Sequence, residues 1–192
     1  KVAEMHLPVN PARRPLTIVY VWDADYPCDV SPEPTCAALA AHGHRIHIVA
    51  RNRKRSPARE VLPEGTVHRI SPLAWASPKL DDALGFPAFF NPRWRGLLRR
   101  TVQETSADLI IARDLPLCPT AIHIGREFGI PVVFDMAENY PALMRALWET
   151  DRQQFLDYLV RNPRAVEIVE RYSLARVEHI VVVVEESRDR LV

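Results

Sequence analysis

The chain holds 192 residues, enough for one sizeable core, and its 47% hydrophobic and 26% charged residues are ordinary for a globular protein. A formal net charge of +1 gives no general attraction to nucleic acid, so no nucleic-acid partner is expected, although basic residues cluster locally. Cys28, Cys36 and Cys118 form neither a CxxC pair nor an even set, which argues against a disulfide framework or a structural zinc site and fits a reducing cytoplasm. No apolar run approaches the roughly 18 residues of a membrane span. The start, "KVAEMHLPVNPARRP", has no apolar signal-peptide core, and with Pro8, Pro11 and Pro15 residues 1–15 read as an extended lead-in. Residues 16–192 read as a single domain of a soluble protein.

"LTIVYV" (Leu16 to Val21) is an apolar, β-branched run of strand length. The stretch "SPEPTCAALAAHG" has helix marks: Ser31 as cap, Pro32 at the first position and Gly43 as the left-handed exit. "RIHIVA" (Arg45 to Ala50) completes a strand-helix-strand unit, which implies parallel pairing. "TVHRI" (Thr66 to Ile70) is a third strand, and the Pro- and aromatic-rich "SPLAWASPKLDDALGFPAFFNP" is irregular. From Pro92, the residues Trp94, Leu97, Leu98 and Val102 recur at helical spacing. "DLIIA" (Asp108 to Ala112) is a short buried strand, "PTAIHIGREFG" a helix ending at Gly129, and "IPVVFDM" the next strand. Helical stretches over Ala142–Leu159 and Pro163–Val177 follow, and "HIVVVV" (His179 to Val184) is the last strand. Near-continuous apolar strands alternating with helices predict an α/β, doubly wound, mostly parallel sheet of about six strands in a Rossmann-like order, covered on both faces.

In such a sheet, ligands bind at the carboxyl ends of the strands. That rule selects four loops: Trp22 to Ser31, Arg113 to Pro116, Asp135 to Pro141, and Glu185 to Ser187. The first lacks GxGxxG, and GxxxxGK[ST] is absent from the chain, which disfavours dinucleotide and P-loop sites. Asp23-Ala24-Asp25 resembles a DxD metal site, but two loop aspartates more commonly cap turns, so no metal is expected. His42, His44 and His47 form HxHxxH, but the turn at Gly43 should make the three side chains diverge. "ARDLP" and "FDMAENYP" follow strands separated by one helix, so their loops should be neighbours. There Arg113 can bind a phosphate or carboxylate, while Asp114, Asp135 and Glu138 can accept hydrogen bonds from sugar hydroxyls or act as a base. The structural alternative is that Asp135 or Asn139 caps the next helix and Glu138 complements its dipole.

From Leu16 onward the chain resembles the N-terminal domain of glycosyltransferase family 4, the retaining GT-B enzymes. "AAHGHRIHIVARN", "ADLIIARDLPL", "GREFGIPVVFDMAENYP" and "ARVEHIVVVVEESRDRL" follow that family's motifs in order and spacing. The resemblance implies the N-terminal half of a GT-B fold and acceptor contacts by Asp114, Asp135, Glu138 and Asn139, beside Arg113. It also implies a nucleotide-sugar donor held mainly by a second, C-terminal domain, and no cofactor in this half. Arg113 and Ala137 stand where relatives carry histidine, and Glu185 where they carry serine, so no family histidine role transfers and the catalytic residues are unknown, with Asp114 and Glu138 as candidates.

Ending at Val192, the chain reads as an acceptor-side half, inactive alone because leaving-group stabilisation would be missing. The expected partners are a sugar or glycolipid acceptor and the C-terminal donor domain. The clusters "RNRKRSPAR" (Arg51 to Arg59) and the arginines around Trp94 either face anionic lipid at the inner membrane surface, or a phosphate-bearing acceptor, or are solvated faces. Two other readings stand beside this one: a non-catalytic binding domain of the same fold, and a self-contained hydrolase using Asp135 and Glu138.

Overall fold

The structure is a computed structural model that describes residues 14–27, 32–77, 80, 81, 84, 88–150 and 162–182. Most of the lead-in, Cys28, Ser31, residues 151–159 of the first of the two late helical stretches, the end of the last strand reading (183–184) and the loop Glu185 to Ser187 lie outside the described residues.

Seven strands form one sheet: β1 (Thr17–Asp25), β2 (Arg45–Arg51), β3 (Arg59–Leu62), β4 (Gly65–Arg69), β5 (Leu109–Arg113), β6 (Val132–Met136) and β7 (His179–Val182). Their order is β3-β4-β2-β1-β5-β6-β7. Only β3 runs antiparallel, paired to β4. The six parallel strands, taken in chain order, therefore lie 3-2-1-4-5-6, the Rossmann order, with its topological switch point between β1 and β5. Two details differ from the sequence reading. The chain Arg59–Leu62 is a strand where the reading saw only a basic stretch, because a four-residue edge strand with Arg59 and Glu60 carries no apolar run. And β1 continues to Asp25 across an irregularity after Val21, so Trp22 to Asp25 belong to the strand and not to a loop.

The described helices are α1 (Pro32–Ala41), α2 (Pro92–Thr105), α3 (Cys118–Phe128), α4 (Tyr140–Thr150) and α5 (Pro163–Leu174). Asn91 and Asn162 cap α2 and α5, each accepting from the second amide onward, with proline at the first helical position. Gly43 and Gly129 take positive φ at helix exits, where a side chain would be strained.

Alternation along the strands splits the core in two. Val19, Val21, Val49, Ile110 and Phe134 pack with Trp94, Leu98 and Val102 of α2, Ala121, Ile122 and Ile124 of α3, and Val166 of α5. Ile18, Tyr20, Ile46, Ile48 and Val67 pack with Cys36 of α1 on the other face. Beyond β1 that second face is thinner: Ile111 and Val133 are only partly buried and Val181 is 51% exposed. Gly65 starts β4 directly against Ile46, where a Cβ would collide with the backbone carbonyl, so only glycine lets the β3–β4 hairpin close onto β2. Among the described residues no helix is long and apolar enough to cross a membrane.

Candidate functional site

The carboxyl edge of the sheet is organised by arginines that end strands. Arg51, Arg69 and Arg113 are the last residues of β2, β4 and β5, and each is less than 10% exposed. A buried guanidinium needs a charged or multiply hydrogen-bonded partner, and each has one. Arg51 meets Asp23 of β1 at 2.6 Å, its guanidinium also lying 5.7 Å from the Trp94 ring. Arg69 donates to Glu60 at 2.6 Å and to the carbonyls of Tyr26 and Pro57. Arg113 Nη1 donates to Asp135 Oδ2 at 2.9 Å.

Asp135 ties the switch point together. Its Oδ2 also accepts the Tyr20 hydroxyl at 2.9 Å, so one carboxylate oxygen joins β1, β5 and β6. The Asp135 side chain is 10% exposed, and it caps no helix. The phosphate- or carboxylate-binding reading of Arg113 meets a guanidinium already engaged inside the protein.

Asp114 follows at φ 61, ψ 169, a conformation costly for any residue with a Cβ. Three contacts hold it there: its amide donates to the Asp135 carbonyl at 3.0 Å, its Oδ1 accepts from the Ala137 amide at 3.2 Å, and Arg113 Nε lies 3.6 Å from Oδ2. Burial pushes the Asp114 carboxyl up to about 6 against the pull of Arg113 and the Ala137 amide, and Asp135 and Glu138 add to the rise. A carboxyl that exchanges its proton near neutrality is suited to acid-base work.

Asn139 does cap α4, its Oδ1 accepting from the Ala142 amide at 3.2 Å. Glu138 is exposed on the rim. Tyr140, the first residue of α4, is partly buried against the core. Burial raises its hydroxyl pKa, and the charges of Asp114, Asp23 and Glu138 raise it further. The edge thus brings Arg113, Asp114, Asp135, Glu138 and Asn139 together, as their loops' adjacency implies. Tyr20, Arg51 and Tyr140 belong to the same assembly, and the sequence reading passed over them. Tyr20 is hidden in a strand run and Arg51 opens the basic run "RNRKRSPAR", which reads as surface, while Tyr140 stands inside the quoted "FDMAENYP", where an aromatic beside two carboxylates was the available signal.

The other motifs resolve separately. Asp25 Oδ1 accepts from the Arg53 amide at 2.6 Å, while Asp23 faces Arg51. His42 Nδ1 lies 2.7 Å from the Ala38 carbonyl, His44 Nδ1 accepts from the Leu16 amide at 3.1 Å, and His47 meets His68 at 3.2 Å, so the HxHxxH side chains diverge. Of the basic clusters, Arg51 faces inward, Arg93 pairs with Asp81 and Arg99 with Glu127. The exposed basic surface reduces to Arg53, Lys54, Arg55 and Arg59 on one side and Arg95 and Arg100 on α2.

The His47–His68 pair carries a pH prediction. Burial, with the neighbouring imidazole and Arg59, lowers His68 from 6.5 to about 4, and burial with Arg59 and Arg45 lowers His47. A base with a depressed folded pKa binds fewer protons than the unfolded chain, so the neutral pair's contribution is present above pH 6.5 and is lost as pH falls through about 4. The loss for His68 is up to about 3 kcal/mol. Asp114 acts oppositely: its raised pKa contributes stability below 3.8 that is lost as pH rises through about 6. Urea titrations across this range are expected to show falling stability toward pH 4, with the fall reduced in His68→Gln. An unchanged fall in that variant would assign the acid sensitivity elsewhere.

A family model described as a glycosyl transferase 4-like domain matches residues 31–192. No curated protein sequence matches the chain. Among solved structures, sucrose-phosphate synthase from Thermosynechococcus elongatus superposes with a TM-score of 0.67 at 14% identity, over 92% of this chain and 44% of that one. Os79 from O. sativa, in complex with UDP and deoxynivalenol-3-glucoside, superposes with a TM-score of 0.52 at 17% identity, over 85% of this chain and 46% of that one. At such identities the likeness concerns the fold. The chain spans less than half the length of either protein.

Proposed function

The chain belongs to the glycosyl transferase 4-like domain family, and from that premise we propose that it is the acceptor-binding half of a retaining GT-B glycosyltransferase. The matched proteins are about twice as long, which supports a reading in which a second domain holds the nucleotide-sugar donor and transfer occurs in the cleft between them. One observation carries the assignment of this edge to the acceptor: Asp114 is held in a strained conformation at the switch point, with its carboxyl poised near 6, by contacts from β6 and the loop after it.

In this reading Asp135, Tyr20 and Arg113 set the geometry. Asp114 accepts the hydrogen bond and then the proton of the acceptor hydroxyl as that oxygen bonds to the anomeric carbon and the bond from that carbon to the diphosphate breaks, and Glu138 accepts from a neighbouring hydroxyl of the acceptor. Asn139 holds the start of α4 beside them. The leaving diphosphate needs positive charge or hydrogen-bond donors, which the donor domain would supply. Alone, the chain is expected not to transfer sugar.

The test joins this chain to a donor domain, through whatever reading frame continues beyond Val192, and assays the product with a panel of nucleotide sugars and hydroxylated acceptors. Asp114→Asn is expected to lower kcat/KM by about 100-fold or more, with Glu138→Gln smaller, and the fold unchanged by circular dichroism. Wild-type rates in both variants would remove these carboxylates from the mechanism. An absence of transfer with every donor would favour the non-catalytic binding domain, and hydrolysis by this chain alone would favour the hydrolase.

A cytoplasmic enzyme peripheral at the inner face of the membrane is the accompanying proposal, now resting on Arg53, Lys54, Arg55 and Arg59. Flotation with vesicles rich in anionic lipid is expected to retain the protein at low salt and release it at high salt. Failure to float at low salt would exclude this contact.

A further inference from the structure

We propose that Asp135 is a positioning residue for Asp114: it holds the Arg113 guanidinium to itself, withholds that cation from Asp114, and leaves Asp114 the stronger base. The role rests on the acceptor-site reading, in which Asp114 takes a proton.

Strand register sets the arrangement. Arg113 and Asp135 are direct partners across the parallel pair β5–β6, so their side chains leave the sheet on the same face. Two strands thus fix their 2.9 Å ion pair, and Tyr20 of β1 holds the accepting oxygen from a third. A regular strand would send the next side chain, Asp114, to the other face. Its positive φ breaks that alternation, and its Oδ2 lies 3.6 Å from Arg113 Nε.

One guanidinium therefore stands between two carboxylates and serves them unequally. The contact with Asp135 is a hydrogen bond, and the contact with Asp114 is too long to be one. Burial disfavours the Arg113 cation, and Asp135, ahead of Tyr20 and Asp114, more than offsets that cost. Arg113 is 8% exposed and Asp135 7%, so water is poorly placed to replace either partner. A buried guanidinium deprived of its carboxylate turns to the next one within reach, here Asp114.

The consequence for Asp114 has a sign. Direct pairing with arginine lowers an aspartate pKa by about 1–3 units and weakens it as a base. Asp114 escapes this: burial holds its carboxyl at about 6 against the pull of Arg113 and the Ala137 amide, with Asp135 and Glu138 adding to the rise. Those groups face it from β5, β6 and the loop after β6. Tyr140 of α4 stays a neutral phenol, raised by burial and by the surrounding carboxylates, and Asp23 of β1 is balanced by Arg51.

The test is a carboxyl-carbon NMR titration of the 192-residue chain, with the Asp114 signal assigned by its loss in Asp114→Asn. In Asp135→Asn the Asp114 pKa is expected to fall by about one unit or more. The Arg113 Nε proton signal is expected to respond to Asp114 ionisation more strongly than in the wild type, because a hydrogen bond now joins them. A fall of less than about half a unit, or a fall without the larger Nε response, overturns the inference and leaves the acceptor site standing. Should Asp135→Asn not fold, the paired replacement Arg113→Met with Asp135→Asn leaves neither buried charge alone. In it the Asp114 pKa is expected to stay within about one unit of the wild type, and a larger rise would show that Arg113 already belonged to Asp114. In the protein joined to its donor domain, Asp135→Asn should also move the acid limb of the kcat/KM profile to lower pH. An acid limb that stays while the Asp114 signal moves would remove Asp114 as the base, and so strike the acceptor-site reading and not the hold of Asp135 on Arg113.

Discussion

Replacing Asp135 by alanine is expected to lower the free energy of unfolding by about 3–5 kcal/mol, measured by urea denaturation, because it breaks a buried ion pair on one side only. The Arg113 guanidinium would remain 10% exposed without its carboxylate, and the Tyr20 hydroxyl, in a residue with no exposure, would lose its acceptor. Asp135→Asn keeps an oxygen for one donor but removes the charge, so its loss should be intermediate. The Asp114 amide bonds the Asp135 backbone carbonyl, not the side chain, so the strand pairing survives while the anchor of Arg113 is lost. Tyr20→Phe tests the arrangement from the other side. It should cost about 1 kcal/mol, and less in the Asp135→Asn background, because the two groups share one bond. Equal costs in both backgrounds would mean that the Tyr20 hydroxyl bond contributes nothing of its own.

Trp94→Ala should be comparably damaging, at about 3–5 kcal/mol. Trp94 is fully buried at the first turn of α2, where Asn91 caps the helix, and it packs in the main core cluster. Its ring also lies under Arg51, whose charge Asp23 balances. Removing the indole therefore opens a cavity and also exposes one side of a buried ion pair at the switch-point edge. Trp94→Phe refills much of the volume and keeps an aromatic face, so it should recover more than half of the loss. Recovery by Trp94→Leu as complete as by Trp94→Phe would show that volume alone matters and that the cation-π contact adds nothing.

Local sequence patterns pick out Asp135 and Trp94 but say little about their partners, Tyr20 and Arg51. "LTIVYV" reads as a buried strand whichever residue occupies position 20, and nothing in the run distinguishes a core tyrosine from one whose hydroxyl reaches Asp135, 115 residues later. Arg51 and Arg93 read as members of surface basic clusters because adjacent arginines are usually solvated. The structure turns Arg51 inward to Asp23 and pairs Arg93 with Asp81, contacts set by strand order and by the chain's return at α2. The short β3 escaped the reading for a related reason. An edge strand is defined by the hydrogen bonds it shares with β4 and not by a run of apolar side chains.

By itself the sequence determined the alternation of strands and helices, the parallel Rossmann character of the sheet, and the convergence of "ARDLP" and "FDMAENYP" at one edge. It could do so because apolar periodicity, helix caps and the handedness of crossovers are local or nearly local rules. The tertiary structure alone decided which of the gathered groups are free to meet a ligand. Burial and pairing are set by neighbours far apart in the chain, and they commit Arg113 and Asp135 to each other, hold Asp114 in a strained conformation beside Ala137 with part of its side chain exposed, and leave Glu138 exposed at the rim.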